Sequence, residues 1–171
     1  MNSSLQPSAI LKSTQSGFVI ETLFAVAEQP SRRRGRNRKW MGEVAESAFL
    51  WKAMQLGLLV AKPWGDSARY DFIVDSGRGL LRVQVKSTGC LCEEHRYAVA
   101  AHGSNPAIPY TNDDIDFLVA FIPPEDAWYI LPVEVFTPRT HLWLYPQGEH
   151  DGQYESYCEA WSLLGAKDPP E

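Results

Sequence analysis

Within GEVAESAFLWKAMQLG (42–57), apolar residues fall at 45, 48, 49, 53 and 56. That spacing predicts a helix with one buried face, and Gly57 stands where it stops. The period then shortens. LLVAKPW (58–64) reads as a strand ended by Pro63, and YDFIVD (70–75) and LLRVQVKST (80–88) alternate around SGRG as a hairpin does. CLCEEH (90–95) reads as a connection, RYAVAA (96–101) as a strand, and GSNPAIPYTNDD (103–114) as a loop rich in Pro, Asn and Asp. DFLVAFI (116–122) has the composition of a buried strand, PPED of a turn, and WYILPVEVF (128–136) of its partner. YESYCEAWSLLG (154–165) is expected to close the domain as one helix, and FVIETLFAVA (18–27) to form a short one. A helix, a run of strands and a final helix predict an α/β or α+β fold with a mixed sheet.

The hairpin carries more polarity than folding requires. Leu81, Val83 and Val85 alternate with Arg82, Gln84 and Lys86, which gives one apolar and one polar face. With the turn centred on Gly77 and Arg78, paired positions sum to 155, so Asp71 stands opposite Gln84 and Arg69 opposite Lys86. Directly opposed Cβ atoms lie about 4.5–5.5 Å apart. A slip of one residue would carry Asp71 to the Val83 and Val85 face. An aspartate, an amide oxygen and an ammonium so placed can bind a hard cation such as Mg²⁺, which takes oxygen ligands and keeps several waters. A cation beside a lysine lowers the pKa of such a water and stabilises charge on a phosphate. The same alternation is also what an ordinary half-exposed sheet face shows. Glu43 and Glu46, three apart on the preceding helix, share a face. A carboxylate from that face would complete a metal site; a solvent-facing glutamate is equally at home near a helix N-terminus.

Charge sharpens the picture. Residues 1–39 hold seven basic and two acidic side chains, net +5, whereas 40–171 hold nine and nineteen, net −10. SRRRGRNRK (31–39) concentrates Arg32, Arg33, Arg34, Arg36, Arg38 and Lys39. A basic arm on an acidic body is the asymmetry of a nucleic-acid-binding tail, and it also suits a solvated linker. The acidic body argues against a large non-specific DNA footprint. We therefore divide the chain into a flexible arm (1–39), one domain (40–165) and a short tail (166–171). No apolar run of 18 residues occurs, so no membrane span is expected, and the N-terminus lacks the order of a secretion leader. Cys90, Cys92 and Cys158 outline no disulfide framework, which points to a reducing cytoplasm. Cys90 and Cys92 with His95 lack a fourth zinc ligand at plausible spacing, and no phosphate-cradling glycine loop is present.

The string GEVAESAFLWKAMQLGLLVAKPWGDSARYDFIVDSGRGLLRVQVKST resembles the PD-(D/E)XK nuclease superfamily. It looks closest to the group I intron homing endonucleases of cyanobacterial type and their bacterial relatives. Its helix–strand–hairpin order is similar to that of archaeal Holliday-junction resolvases. The resemblance continues through PYTNDDIDFLVAFIPPEDAWYILPVEVF and spans roughly residues 40–136. It implies a restriction-endonuclease-like core in which Glu46 is the acid of the first helix, Asp71 the metal-binding aspartate and Lys86 the catalytic lysine. Gln84 stands where most members have Asp or Glu, and Tyr70 where a proline precedes the aspartate. The neutral Gln84 implies weaker metal binding, and the homing branch is similar in using Gln-x-Lys. The implied metal site is Asp71, Gln84 and the Val85 carbonyl, with Glu46 completing the shell. The implied activity is Mg²⁺-dependent DNA cleavage, with Mn²⁺ as a substitute, on double-stranded or branched DNA by a homodimer or homotetramer. A DNA-binding module that has lost cleavage, and a junction resolvase, are the alternatives the same residues allow.

Overall fold

The computed structural model describes residues 34–92, 95–147 and 152–166. Arg32, Arg33 and the expected helix at 18–27 lie outside the described residues. Helix α1 runs Arg34–Gln55, so it begins six residues before Trp40, where the sequence pattern starts the domain. Arg34, Arg36, Arg38 and Lys39 are therefore helical rather than part of a flexible arm. Arginine and lysine are good helix formers, so a basic composition does not oppose a helix that has an apolar face to bury further along. Ala45, Phe49 and Ala53, four apart, are that face and are fully buried. Gly57 ends the helix at φ +73°, with Leu58 N–H donating to the Ala53 carbonyl (3.0 Å) and Gly57 N–H to that of Met54 (3.0 Å). This is the glycine-dependent double bond of a Schellman stop.

Strands β1 (Leu59–Ala61), β2 (Phe72–Asp75), β3 (Leu80–Ser87), β6 (Phe117–Ile122) and β7 (Ala127–Pro132) form a sheet in the order β1-β2-β3-β6-β7. Only β3 and β6 run parallel. Their crossover is built from β4 (Leu91–Cys92) and β5 (Arg96–Ala100), not from the usual helix. With β8 (His141–Leu144) these make a second, three-stranded antiparallel sheet. The fold is thus α/β with a mixed sheet. One face of the large sheet packs Phe72, Val74, Val83, Val85, Val119 and Ile130 against α1. The other packs Leu118, Ala120, Tyr129 and Leu131 against Tyr97, Val99, Leu142 and Leu144 of the small sheet. Phe49 anchors the first core, with ring centroids 5.2 Å from Phe72 and 6.0 Å from Trp161. Burying such a ring stabilises by about 1.5–3 kcal/mol.

Three local expectations are corrected. CLCEEH contributes strand β4 rather than only a connection. After β7, VEVF forms a one-turn helix, α2 (Val133–Phe136), not more strand. The segment 154–165 is two 3₁₀ turns, Glu155–Tyr157 and Trp161–Leu164, rather than one α-helix. Glu159 between them sits at φ +53°, which interrupts any continuous helix. Its carboxylate instead accepts from Trp128 N–H (2.8 Å) and from the Trp161 indole (2.8 Å). Among the described residues, no helix is long and apolar enough to cross a membrane.

Candidate active site

The hairpin takes the expected register: Phe72 pairs with Val83, Ile73 with Arg82 and Asp75 with Leu80. Strand β2 is half as long as β3, and that difference makes the site. β3 keeps β6 beside it as far as Ser87, but β2 accompanies it only from Leu80 to Val83. Beyond Val83 the β2-side edge of β3 is open. Asp71, one residue before β2, fills the first step: its N–H donates to the Val83 carbonyl (2.9 Å) and its Oδ2 accepts from Val85 N–H (2.8 Å). A carboxylate thus takes the ladder bond that a longer strand would have made. Gln84 Nε2 donates to the same Oδ2 and to the Val85 carbonyl, the latter at 3.1 Å.

Electrostatics follow from this enclosure. Gln84 is 8% exposed and is the buried polar side chain among the described residues. Burial pushes the Asp71 carboxyl up to about 6, and the nearby Glu46 adds to the rise; the Val85 N–H, Lys86 and Lys62 pull it back. Burial also lowers the Lys86 ammonium from its ordinary range, partly offset by Asp71 and Glu46. Displaced acid and base side chains facing one another in a cleft are the physical mark of a candidate reactive site.

Glu46 is half-buried and lines a hollow of about 720 Å³ together with Asp71, Gln84, Val85 and Lys86; Glu43 is exposed on the helix. The structure therefore gives Glu46 the place facing the hairpin. Sequence reasoning missed its partner: Lys62 Nζ donates to Glu46 Oε2 at 2.7 Å. That bond raises the Lys62 pKa. Arg38 and Lys39 line the same hollow from the start of α1. A second hollow, about 530 Å³, adjoins the first at Gln84 and Lys86 and is walled by residues 66–69 and by the loop from Gly103 to Tyr110. Tyr110 is buried beneath it, with Lys86 Nζ 5.7 Å and Arg69 Cζ 5.3 Å from its ring centre. Burial, reinforced by Asp71, pushes the Tyr110 phenol up to about 12, so at neutral pH it stays protonated. No signal in the sequence put Arg69 and Lys86 on one ring; that depends on how the loop folds back.

The donor set fits a hard cation. Asp71 Oδ2 and the Val85 carbonyl already share one positive partner, the Gln84 amide nitrogen, so both oxygens converge on a common point. With Glu46 and, once the Gln84 amide turns over, its oxygen in place of its nitrogen, the potential ligands are all oxygens, the choice of Mg²⁺ and Mn²⁺. Among the described residues no three His, Cys, Asp or Glu side chains are grouped to hold a metal. Any site here therefore relies on neutral oxygens beside at most two carboxylates. Cys90 and Cys92 carry free thiols near the surface.

A family model described as PD-(D/E)XK endonuclease matches residues 36–164. Among solved structures the chain is similar to a bacterial homing endonuclease, I-Ssp6803I, at 30% identity and a TM-score of 0.66. That match covers 74% of this chain and 92% of the other. A second similarity is to Hjc, a Holliday junction resolvase from the archaeal hyperthermophile Archaeoglobus fulgidus. It has 15% identity and a TM-score of 0.48, over 75% of this chain and 99% of that one. No curated protein matches the chain. The chain belongs to the PD-(D/E)XK endonuclease family.

Proposed function

We propose that this PD-(D/E)XK family member cuts DNA by hydrolysing phosphodiester bonds with the help of a divalent cation, Mg²⁺ or in its place Mn²⁺, and acts as a homing-type endonuclease. The observation that carries the reading is the open edge of β3. There a half-buried aspartate, a main-chain carbonyl and a lysine face one hollow. Asp71, the Val85 carbonyl and Gln84 would hold the cation, with Glu46 completing the set once Lys62 releases it. A cation so held supplies positive charge to the scissile phosphate and lowers the pKa of an attacking water. Lys86 sits beside Asp71 with its proton affinity reduced by burial. It orients the water through a hydrogen bond and offsets charge that builds on the phosphate oxygens. Arg38 and Lys39, at the mouth of the same hollow, fix the backbone without reading sequence. Arg34 and Arg36, with Arg32 and Arg33 before them, extend that basic run.

The 30% identity with a homing endonuclease over most of both chains supports the homing reading over a junction resolvase. A second copy of the chain fits the chemistry, since one such site cuts one strand. Leu50, Trp51 and Met54 on α1 and Leu59 on the edge strand β1 are exposed apolar side chains that such a copy would cover. The cytoplasm, where DNA is in reach and free thiols persist, is the compartment this reading assigns. The deciding experiment incubates the purified chain with supercoiled plasmid, linear duplex and a four-way junction, in Mg²⁺, Mn²⁺ or chelator. Nicked or linear products in either metal and none in chelator are expected. DNA binding with no metal-dependent product on any substrate would instead establish a module that keeps the fold and has lost cleavage.

A further inference from the structure

We infer that Arg69 is a second phosphate-binding group, which holds the backbone phosphate next to the one at Lys86 on the strand being cut. The inference rests on the DNA-cleaving reading above and adds a subsite to it. The two hollows meet at Gln84 and Lys86, so a strand that brings its scissile phosphate to Lys86 continues from one into the other. The first hollow has Arg38 and Lys39 to receive the strand. In the second, Arg69 is the cation besides Lys86 among the lining residues. Both lie within 5.7 Å of the Tyr110 ring centre. Successive phosphates rise about 3.4 Å along a duplex axis, so one phosphate at Lys86 puts its neighbour in reach of Arg69.

Arg69 is prepared for that role. Its Nη1 pairs with Asp114 Oδ1 at 3.1 Å, and Asp114 is itself fixed, its Oδ2 accepting from the Thr111 N–H (3.1 Å) and hydroxyl (3.2 Å). The guanidinium is thus held on one side by Asp114 and lies over the Tyr110 ring, yet its side chain stays 42% exposed. Arginine carries five N–H donors in a planar fork, so donors remain for a phosphate after the carboxylate is served. Stability alone explains the arrangement poorly. A half-exposed ion pair contributes little, and setting two cations over one ring adds repulsion unless an anion lies between them. Ser104 and Asn105 border the hollow with further polar groups, and the exposed Asp66 stands on its rim as the opposing charge.

The test measures DNA binding by fluorescence anisotropy across a salt series in chelator, with a labelled duplex of arbitrary sequence. Arg69→Gln is expected to weaken binding about 10- to 100-fold and to reduce the slope of log affinity against log salt by about 0.9, the signature of one phosphate no longer neutralised. Arg69→Lys keeps the slope and loses affinity, because the charge survives and the fork does not. Asp114→Asn keeps the slope, because the guanidinium remains. If Arg69 only braces the loop, Asp114→Asn and Arg69→Gln lose affinity together with the slope unmoved, and the inference fails. Uncharged methylphosphonates placed singly along the strand that the wild type cuts give the second arm. The neighbour of the scissile phosphate should matter to wild type and not to Arg69→Gln. Cleavage with equal sensitivity in both proteins overturns the subsite alone; absence of any metal-dependent cleavage overturns the enzyme reading, while the salt slope still decides whether Arg69 meets a phosphate.

Discussion

Replacing Asp71 with asparagine should make the metal-free protein more stable, not less, at neutral pH. Burial holds the Asp71 carboxyl up at about 6 against an ordinary 3.8. The folded state therefore binds a proton more tightly than the unfolded chain. Stability contributed by this group is fully present below about pH 3.8 and is lost as pH rises through about 6. The difference corresponds to about 3 kcal/mol against the fold at pH 7, as an order of magnitude. Asparagine removes that charge and keeps an oxygen for Val85 N–H. Its amide then faces that of Gln84, which must turn and give up its bond to the Val85 carbonyl, a loss of about 1 kcal/mol. The net expectation is a gain of about 2 kcal/mol at pH 7, or a Tm raised by roughly 4–8 °C in a protein of this size. Thermal melts of both proteins in chelator from pH 4 to 8 should show wild type ahead by about 1 kcal/mol at the acid end, the curves crossing between pH 4 and 6, and Asp71→Asn ahead by about 2 kcal/mol above that. Added Mg²⁺ should raise wild type alone, since only a folded site with its carboxylate gains from mass action. An Asp71→Asn protein that is less stable at every pH, or ahead by a constant margin, would refute the reasoning.

Lys86→Ala should lower cleavage by on the order of 10²–10⁴-fold while DNA affinity stays within about tenfold, measured by single-turnover cleavage and anisotropy. An equal fall in both would mean that the lysine serves binding rather than the chemical step. Gln84→Glu adds a second carboxylate to the open edge, so isothermal titration should show tighter Mg²⁺ binding and melts in chelator a lower Tm. A variant more stable without metal than wild type would contradict the hydrogen bonds of Gln84. Removing residues 1–33, the part of the basic run that precedes α1, should reduce the salt slope of DNA binding by about 0.9 for each phosphate that the arm neutralises. An unmoved slope would assign Arg32 and Arg33 no part in binding.

The hairpin was legible because two independent constraints agree: a glycine-bearing turn fixes the pairing, and alternation fixes the face. Together they put Asp71 opposite Gln84 from the residue pattern alone. Other elements hid for identifiable reasons. The run from Arg34 to Lys39 helps form the first turns of α1, yet it has no apolar periodicity of its own. HLWL (141–144) went unread, although Leu142 and Leu144 are buried and alternate with exposed residues. Four residues between proline-bearing turns are too few for the period to stand out. The segment 154–165 had helical content without helical continuity, because Glu159 takes a left-handed conformation and commits its carboxylate to Trp128 and Trp161. At the site, sequence spacing named the residues but not the direction of their donors. That Gln84 offers nitrogen to Asp71, that Lys62 holds Glu46 and that Tyr110 underlies two cations are facts about separate segments meeting in space.

One structural cause connects these interactions: the length mismatch between β2 and β3. A sheet interior leaves no main-chain group for a substrate or an ion, because every N–H and C=O is used in the ladder. Starting β2 only at Phe72 frees the edge of β3 at Val85, inside the fold rather than at its rim. An aspartate there takes the stranded N–H, and the stranded carbonyl is left beside it as a second oxygen. With glutamate at 84, three oxygens would face each other with no positive partner until a cation arrived. With glutamine, the amide nitrogen satisfies two of them, so the edge is complete without metal and a cation must displace hydrogen bonds to enter. The neutral residue at 84 would thus lower metal affinity, and it leaves a metal-free edge that is already hydrogen-bonded. The same open edge that would admit a cation keeps Lys86 beside the Tyr110 ring, close to where a DNA strand would pass in the proposed reaction.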